Sequence, residues 1–439
     1  MAEKEDNKME KIVSLCKRRG FVFQGSEIYG GLAGTWDLGP LGAALNDKIK
    51  SEWWKMFVTD REDMYGLNAA ILMNEKVWEA SGHTGAGFSD PLVTCAKCNH
   101  RFRADHLKDK SVCPDCGGAL GEEQQFNLMF ETKVGAQGDM KSYLRPETAQ
   151  GIFVNFKHVV DSMSPKMPFG IGQVGKAFRN EIAPREFLFR VREFEQMEIE
   201  YFIREKEWEE RFEKWREDIH VWHEHIGLSP ENIRELEVPE NDLAHYSKRT
   251  IDFEYNYPGK GFDELSGLAY RTDHDLKSHM AASGVSLEYI EPDGSRFVPH
   301  VIEPSFGVGR AFTAILAEAY TEDEMGGEVR TYLKLPPHLA PYRVAVSPLL
   351  KNKPELVEKA REVFKMLKAQ FGNVAWDDNG NIGKRYRRQD EIGTPHCVTI
   401  DFDTLGEENP DLKDTVTVRN RDTGEQERVA IPNLINALG

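Results

Sequence analysis

The sequence predicts an α+β protein with two domains, and three observations support this fold class. Residues 126–204 show strand-like patterns with turns marked by glycine, proline and asparagine, and they lie between helical stretches at residues 1–60 and 205–226. Residues 333–342 contain three prolines and form the best domain boundary. Beyond them a strand, a helix and further short strands follow one another, as in a small α/β domain of about 100 residues.

The first predicted helix carries an apolar stripe. It follows Gly39 and Pro40, where proline suits the first helical turn. The residues at helical spacing are Leu41, Leu45, Ile49, Trp53 and Met56. This pattern is typical of a core-facing helix, and an oligomer interface would have the same pattern.

A second amphipathic helix is predicted over residues 205–226. Its apolar stripe consists of Trp208, Phe212, Trp215, Ile219, Trp222 and Ile226. The spacing is that of an ordinary core-facing helix, so we do not assign the tryptophans to a cofactor site. We expect His220, His223 and His225 to lie at the surface, because no carboxylate–histidine pattern marks them as metal ligands.

The remaining elements are predicted from turns and alternation. Residues 250–320 alternate strands and loops and end in a glycine turn that enters a helix over residues 311–320. In the smaller domain we expect one helix at residues 355–371. The strands expected there are residues 344–346, 398–402 and 415–418.

Composition excludes several classes of protein. The 439 residues include 56 basic and 73 acidic side chains, a net charge of −17, which argues against binding nucleic acid by bulk charge alone. Residues 341–439 carry 15 basic and 16 acidic side chains and are therefore nearly neutral, so this domain would repel a polyanion less than the rest of the chain. No uncharged apolar run approaches the roughly 20 residues of a membrane helix, and the charged N-terminus lacks a signal core. We therefore expect a cytoplasmic protein with no membrane partner.

Four of the six cysteines form the pattern Cys95-x2-Cys98-x14-Cys113-x2-Cys116. Two such pairs place four thiolates around one point, as a structural zinc site requires, so we expect a zinc knuckle at about residues 91–120. Two disulfides are the alternative, which a reducing cytosol disfavours. Cys16 and Cys397 are expected to be isolated core thiols.

Residues 175–203 carry the strongest chemical pattern. Gln196, Glu198 and Glu200 alternate with Met197, Ile199 and Tyr201, which predicts a strand with one polar face. Upstream lie Arg179-Asn180-Glu181, a turn, and then Arg190 and Arg192. An antiparallel pair joined by this loop would gather three arginines, which suit a polyphosphate, and several carboxylates, which suit a cation or an ammonium group. This combination fits a nucleotide together with a zwitterionic substrate.

Two further segments place polar groups in apolar surroundings. In VIEPSFGVGRAF, Glu303 and Ser305 share one face of a strand, and the Gly307–Gly309 turn precedes Arg310 and a helix start that favours an anion. In YLRPETAQGIFVNF, Glu147 and Gln150 stand in an otherwise apolar stretch.

Together these segments resemble the class II aminoacyl-tRNA synthetases, and within them the homodimeric glycyl-tRNA synthetase family. Residues 30–57 are similar to the dimer-forming motif 1, residues 176–203 to motif 2 and residues 301–316 to motif 3. RPETAQGIFVNF, FRNEIAP, RVREFEQMEIE, VIEPSFG and GNIGKRYRRQDEIGTP resemble family signatures. The resemblance covers nearly the whole chain.

The resemblance implies a catalytic domain over residues 1–335, built on an antiparallel sheet flanked by helices with the zinc knuckle inserted, and an anticodon-binding domain over residues 341–439. It also implies a homodimer and a two-step reaction. Glycine and ATP form glycyl-adenylate and pyrophosphate, and the glycyl group is then transferred to tRNA(Gly).

The resemblance also implies the site residues. Arg179 and Arg310 would act in catalysis, on the α-phosphate and the γ-phosphate, and Glu264 and Glu303 would hold Mg²⁺. The implied ATP-binding set is Arg179, Asn180, Glu181, Phe189, Arg190, Val191, Arg192, Glu193, Phe194, Glu264, Leu265, Gly307, Val308, Gly309 and Arg310. The implied glycine-binding set is Arg103, Glu147, Phe194, Glu195, Gln196, Met197, Glu198, Glu303, Pro304, Ser305, Phe306 and Gly307. The implied tRNA-binding cluster is Lys384, Arg385, Tyr386, Arg387 and Arg388, although such a run is often only a solvated turn.

Three alternative functions remain at this stage. A catalytically inactive accessory subunit should lack the arginines and glutamates above, and a free-standing adenylating ligase should lack the C-terminal domain. A synthetase for threonine, proline, histidine or serine would differ only in the pocket, where RPETAQ and EQMEIE favour glycine.

Overall fold

Twelve helices are found in the part of the chain that the computed structural model describes, which is residues 8–138, 140–184, 187–244 and 246–439. They are α1 (Lys8–Arg19), α2 (Pro40–Trp54), α3 (Glu75–Ala80), α4 (Ala149–Phe153), α5 (Phe156–Met163), α6 (Trp208–His225), α7 (His274–Ser283), α8 (Val308–Ala319), α9 (Pro354–Phe371), α10 (Ile382–Glu391), α11 (Phe402–Leu405) and α12 (Leu434–Leu438). Among them, no helix has both the length and the apolar character needed to cross a membrane.

The same residues form twenty-four strands. They are β1 (Val22–Gln24), β2 (Trp36–Leu38), β3 (Met64–Leu67), β4 (Leu72–Met73), β5 (Ser89–Thr94), β6 (Arg101–Arg103), β7 (Gln124–Asn127), β8 (Phe130–Val134), β9 (Met140–Leu144), β10 (Phe169–Phe178), β11 (Glu193–Ile203), β12 (Ile233–Glu237), β13 (Arg249–Tyr257), β14 (Gly261–Thr272), β15 (Tyr289–Ile290), β16 (Arg296–Phe297), β17 (His300–Gly307), β18 (Tyr320–Met325), β19 (Glu328–Leu333), β20 (Val344–Pro348), β21 (Val374–Trp376), β22 (His396–Ile400), β23 (Thr415–Asn420) and β24 (Gln426–Ala430).

A seven-stranded sheet in the order β12-β13-β14-β17-β11-β10-β3 forms the centre of the N-terminal part. The β10–β3 pair is parallel and the five other adjacent pairs are antiparallel. Helices α2, α6 and α8 supply side chains to one core, whereas α4, α5 and α7 supply a second. The predicted antiparallel sheet flanked by helices is therefore confirmed.

Strand β11 has the predicted two-faced pattern. Met197, Ile199 and Tyr201 are buried in the first core with Trp53 and Trp215. The opposite face is buried as well, since Glu198 is 3% and Glu200 is 0% exposed. Burial of charged groups requires partners or a lost charge, so this face is a functional candidate.

A small sheet in the order β6-β5-β7 carries the cysteine segment, and the C-terminal part is a separate mixed sheet in the order β21-β20-β22-β23-β24. The latter has its own apolar core, shared with helices α9 and α12. The predicted α/β character of residues 341–439 is thus confirmed.

Several sequence-based expectations for single elements are wrong. Residues 22–24 and 36–38 form a β-hairpin inside the predicted helical stretch 1–60, of which residues 1–7 lie outside the described residues. Helices α3, α5, α7, α10, α11 and α12 were not predicted. His223 is buried, not at the surface. It lies on the side of α6 that packs against β14, where its Nε2 is 3.0 Å from Ser266 Oγ. Cys16 and Cys397 are buried and free as expected.

Candidate active site

A cavity of about 470 Å³ opens where the polar faces of β11, β14 and β17 meet. Glu198 on β11 is paired with Ser305 on β17, and Gly267 on β14 is paired with the same serine. Most residues of the sequence-predicted set line this cavity. They are Arg103, Glu147, Arg179, Glu181, Phe189, Arg190, Val191, Phe194, Glu195, Gln196, Glu198, Glu264, Leu265, Glu303, Ser305, Phe306, Gly307, Gly309 and Arg310.

Carboxylates form one end of the cavity. The Thr148 hydroxyl donates to Glu198, and Arg271 Nη1 donates to Glu303 at 2.8 Å. Burial, together with repulsion from neighbouring carboxylates, raises the pKa of Glu198 to about 8 and that of Glu303 to about 7. This end can accept a cationic group, because a nearby positive charge favours the ionised forms of both carboxyl groups.

Glu147 differs from these two carboxylates. Burial alone would raise its pKa, but the adjoining His83 and Arg271 and a hydrogen bond from Gln150 lower it well below the usual range. His83 Nε2 lies 3.1 Å from Oε2 of Glu147, and Gln150 Nε2 donates to Oε1 at 3.1 Å. Glu147 is therefore held as a carboxylate with both oxygens engaged.

Glu200 lies deeper than the cavity wall. One of its oxygens lies within 4.8 Å of oxygens of Glu198 and Glu303, and neither of its own oxygens has a hydrogen-bond partner among the described residues. Burial and the nearby Glu303 raise the pKa of Glu200 well above its usual value. Both effects favour the protonated form of this carboxyl group.

Arginines form the other end of the cavity. Arg179 donates through Nε to the Pro146 carbonyl at 3.1 Å, and its guanidinium lies over the Phe88 and Phe194 rings at 5.6 and 5.5 Å from their centroids. Arg190 Nη1 lies 3.7 Å from Glu181 Oε2. These planar cations suit bidentate binding of phosphate oxygens.

Arg310, at the start of α8, completes the cationic end. Its Nη1 lies 2.8 Å from Glu264 Oε2, and its guanidinium lies 4.6 Å from the centroid of the Phe189 ring. The Arg310 charge lowers the pKa of Glu264. Glu264 and Glu303, which the resemblance implies as a joint Mg²⁺ site, are each paired with a different arginine here.

Six residues of the predicted set do not line this cavity: Asn180, Arg192, Glu193, Met197, Pro304 and Val308. Arg192 donates to the backbone carbonyls of Ala33 and Glu181, so it supports the loop and does not join Arg179 and Arg190. Met197 and Val308 face the apolar core. Glu193 is exposed and pairs with Lys176, because the strand alternation turns it away from the site.

Sequence reasoning missed several residues of the cavity and its support, including Arg271, Tyr246, Asp90 and His83. Arg271 is 2% exposed, binds Asp275 through two nitrogens at 2.8 Å each, and lies 3.9 Å from the centroid of the Tyr246 ring. An arginine at the end of the apolar run GLAYR was the available signal, since a charge in a buried strand requires a partner.

The four cysteines of the knuckle come together. The sulfurs of Cys95 and Cys116 are 3.5 Å apart, those of Cys98 and Cys113 are 3.7 Å apart, and all four lie within 4.8 Å of one another. A tetrahedron of sulfurs about 2.3 Å from zinc has edges of about 3.8 Å. Four sulfurs at these separations fit a tetrahedral zinc site.

The predicted tRNA-binding cluster lies on helix α10 and not on a turn, and its members have different environments. Arg385 is 2% exposed and donates to the carbonyls of Pro348, Asp378 and Gly380, so its guanidinium is not presented at the surface. The side chains of Tyr386 and Arg388 contact Thr399 and Asp377, respectively. Lys384 and Arg387 are the exposed members.

Two family models match the chain. The tRNA synthetase class II core domain (G, H, P, S and T) matches residues 130–319, and the anticodon binding domain matches residues 343–439. Together with the antiparallel sheet and its cavity, these matches define a class II aminoacyl-tRNA synthetase.

Relatives named glycine–tRNA ligase align with nearly the whole chain. The protein from Clostridium acetobutylicum is 48% identical over 98% of this chain and 98% of its own length. The Deinococcus radiodurans protein is 48% identical over 97% of each, and the Streptomyces coelicolor protein is 49% identical over 98% and 97%. The chain belongs to the glycine–tRNA ligase family.

Proposed function

We propose that this protein activates glycine with ATP and transfers the glycyl group to the 3′ end of tRNA(Gly). The observation that carries the proposal is the division of one cavity into a carboxylate end and an arginine end. A zwitterionic amino acid and a polyphosphate can occupy these two ends next to each other.

The carboxylate end would hold the glycine ammonium group. Glu147, Glu198 and Glu303 supply negative charge, and Gln196 and Ser305 supply polar atoms on the same wall. Glycine has no side chain to bind, so selection depends on excluding larger amino acids. A steric wall discriminates against a methyl group more strongly than an apolar pocket, in which one methylene contributes about 1–3 kcal/mol.

The arginine end would neutralise the triphosphate and align it. The nucleophile is the glycine carboxylate, which is already anionic and needs no strong base. Its oxygen bonds to the α-phosphorus, the bond to the bridging β-phosphate oxygen breaks, and pyrophosphate leaves. Arg179 would stabilise charge at the α-phosphate and Arg310 at the γ-phosphate, while Phe189 and Phe194 line the space for adenine.

Two metal ions belong to this proposal. The four cysteines would hold a structural Zn²⁺ that braces the insertion, because four thiolates close its coordination shell. Glu264 would bind Mg²⁺ together with ATP, with Glu303 as the second member that the family resemblance implies. Mg²⁺ would supply charge neutralisation to the phosphates.

The C-terminal part would bind tRNA, and a second copy of the chain would form a homodimer. The exposed Lys384 and Arg387 on α10 support phosphate contacts, and an acidic substitution of Lys384 should slow tRNA charging while leaving adenylate formation unchanged. Ile28 and Tyr29, beside the motif 1 segment, are 89% and 87% exposed. The exposure of two large apolar side chains supports their burial in the interface of a dimer. Sedimentation would test the dimer.

The first experiment is amino-acid-dependent ATP–pyrophosphate exchange without tRNA, with glycine, alanine, serine, threonine and proline compared. Exchange with glycine alone is the expected result. Exchange with another amino acid would contradict the specificity, and no exchange by folded, zinc-loaded protein supplied with Mg²⁺ would favour an accessory subunit.

A further inference from the structure

The turn between α3 and β5, residues 81–88, connects both ends of the cavity to the cysteine knuckle. At its centre His83 is 8% exposed, and its ring packs against Trp78 and Phe88 with centroid distances of 5.5 and 4.7 Å. Neither predicted substrate-binding set includes a residue of this turn.

The His83 ring is fixed through both nitrogens. Nε2 lies 3.1 Å from Glu147 Oε2, and Nδ1 lies 2.8 Å from Ser81 Oγ. With Nδ1 beside the Ser81 hydroxyl, the ring turns Nε2 toward the carboxylate, where an Nε2–H can donate to Oε2. The amide of Asn127 also donates to the His83 carbonyl at 3.0 Å, so the backbone is fixed as well.

Two contacts orient the Glu147 carboxylate. Gln150 occupies its Oε1, and His83 is the partner of its Oε2 among the described residues. The carboxylate can therefore present a fixed direction to the cavity only while both contacts persist. Preorganisation of this kind strengthens binding of a small ligand that makes few contacts.

The same turn touches the arginine end. The Phe88 ring, which contacts His83, lies under the Arg179 guanidinium, and the Phe88 carbonyl accepts a hydrogen bond from Leu128 N at 3.2 Å. Strand β5 begins at the next residue and ends at Thr94, directly before Cys95. The knuckle thus anchors the turn at its C-terminal end.

We propose that His83 is a positioning residue for glycine recognition, which acts by holding the Glu147 carboxylate toward the substrate ammonium group. The inference rests on the proposed function and adds a residue that does not touch the substrate. It assigns the turn a role in specificity and affinity for glycine, separate from ATP binding.

The test compares His83→Phe, which keeps the ring contacts but loses the donor, with His83→Gln, whose amide can donate in place of Nε2. Loss of a hydrogen bond to a charged group should raise the KM for glycine about tenfold to a hundredfold in His83→Phe. The KM for ATP should stay unchanged, and His83→Gln should recover most of the loss. Calorimetric titration with glycine alone should show the same rise in Kd.

Further variants keep the test decisive. His158→Phe, at an exposed histidine on α5, is the matched control and should behave as wild type. If His83→Phe does not fold, Ser81→Ala removes the Nδ1 partner and should raise the KM for glycine by a smaller factor. An unchanged KM for glycine, or equal rises for glycine and ATP, would overturn the positioning role. Wild-type protein without glycine-dependent exchange would instead overturn the proposed function.

Discussion

Glu264 and Arg310 are ion-paired across the cavity, with 2.8 Å between Oε2 and Nη1. The two groups proposed for Mg²⁺ and for the γ-phosphate therefore neutralise each other in this structure. On the proposed function, ATP with Mg²⁺ would replace this pair by two new ones, and each partner would contribute to affinity only after the exchange.

Glu264→Gln should therefore weaken nucleotide binding without affecting glycine. We expect the KM for ATP, and the Mg²⁺ concentration for half-maximal exchange, to rise about tenfold to a hundredfold. Glu237→Gln, an exposed change on β12, is the control. An unchanged Mg²⁺ requirement would contradict the role of Glu264.

Glu198→Gln should weaken glycine binding. The substitution keeps the shape of the side chain and its contact with Thr148 but removes the ability of this group to ionise beside the ammonium group. A rise in the KM for glycine of about tenfold to a hundredfold is expected in the exchange assay. Glu193→Gln on the same strand, exposed and facing away from the site, should have no effect.

Glycine binding should release a proton near neutral pH. The pKa of Glu198 is about 8 and that of Glu303 about 7 in the empty site, and an ammonium group favours the ionised forms. Glycine affinity should therefore rise between pH 6 and pH 8, and calorimetric enthalpies in buffers of different ionisation enthalpy should reveal proton release. A buffer-independent enthalpy at pH 7 would refute this coupling.

The same pKa shifts affect the stability of the ligand-free protein. Because their folded pKa values exceed the unfolded ones, Glu198 and Glu303 bind more protons in the native state between about pH 4.5 and 8, and the contribution of these two groups to stability falls as pH rises through this window. Glu198→Gln should reduce that fall.

Zinc content should depend on the cluster of four thiols alone. Elemental analysis should find one zinc per chain in the wild type and little in Cys113→Ser, whose insertion should become sensitive to protease. Cys16→Ala removes a buried thiol outside the cluster and should retain the metal. Zinc in Cys113→Ser at the wild-type level would exclude the tetrahedral assignment.

Asp390→Ala should strongly destabilise the protein. Asp390 is 1% exposed and accepts hydrogen bonds from Arg419 at 2.8 and 3.0 Å and from Arg330 at 3.3 Å. Its removal leaves the buried Arg419 guanidinium without its carboxylate and leaves Arg330 with Asp323 as its acidic partner, at a cost of about 3–5 kcal/mol. Urea unfolding should show this loss, whereas Glu328→Ala, which breaks an exposed pair with Arg387, should cost about 0–1 kcal/mol.

Local patterns predicted the parts of the molecule that depend on local geometry. The alternation in β11 lies within one strand of 11 residues and the four cysteines lie within one short segment, residues 95–116, so the two faces and the thiol cluster could be predicted from the sequence. Helix α10 was missed because its sequence, IGKRYRRQDE, is strongly polar and lacks a clear apolar stripe.

Contacts between distant segments could not be predicted in this way. His83 meets Glu147 across 64 residues, and Arg271 meets Glu303 across 32 residues. Nothing near either residue in the chain indicates its partner. Arg192 and Arg385 were assigned to ligands by residue type, but backbone carbonyls that the fold brings close occupy both guanidinium groups.

The hairpin of β18 and β19 connects the N-terminal part of the chain with the C-terminal part. It continues directly from α8, the helix that begins near Arg310, and its Arg330 binds Asp390 and the carbonyl of Arg421 in the C-terminal part. A chimera joined within residues 333–342 would separate Arg330 from Asp390, the carboxylate that it contacts in this chain. An exchange of anticodon-binding modules between relatives should therefore succeed only when the graft begins before Tyr320 and carries the hairpin along.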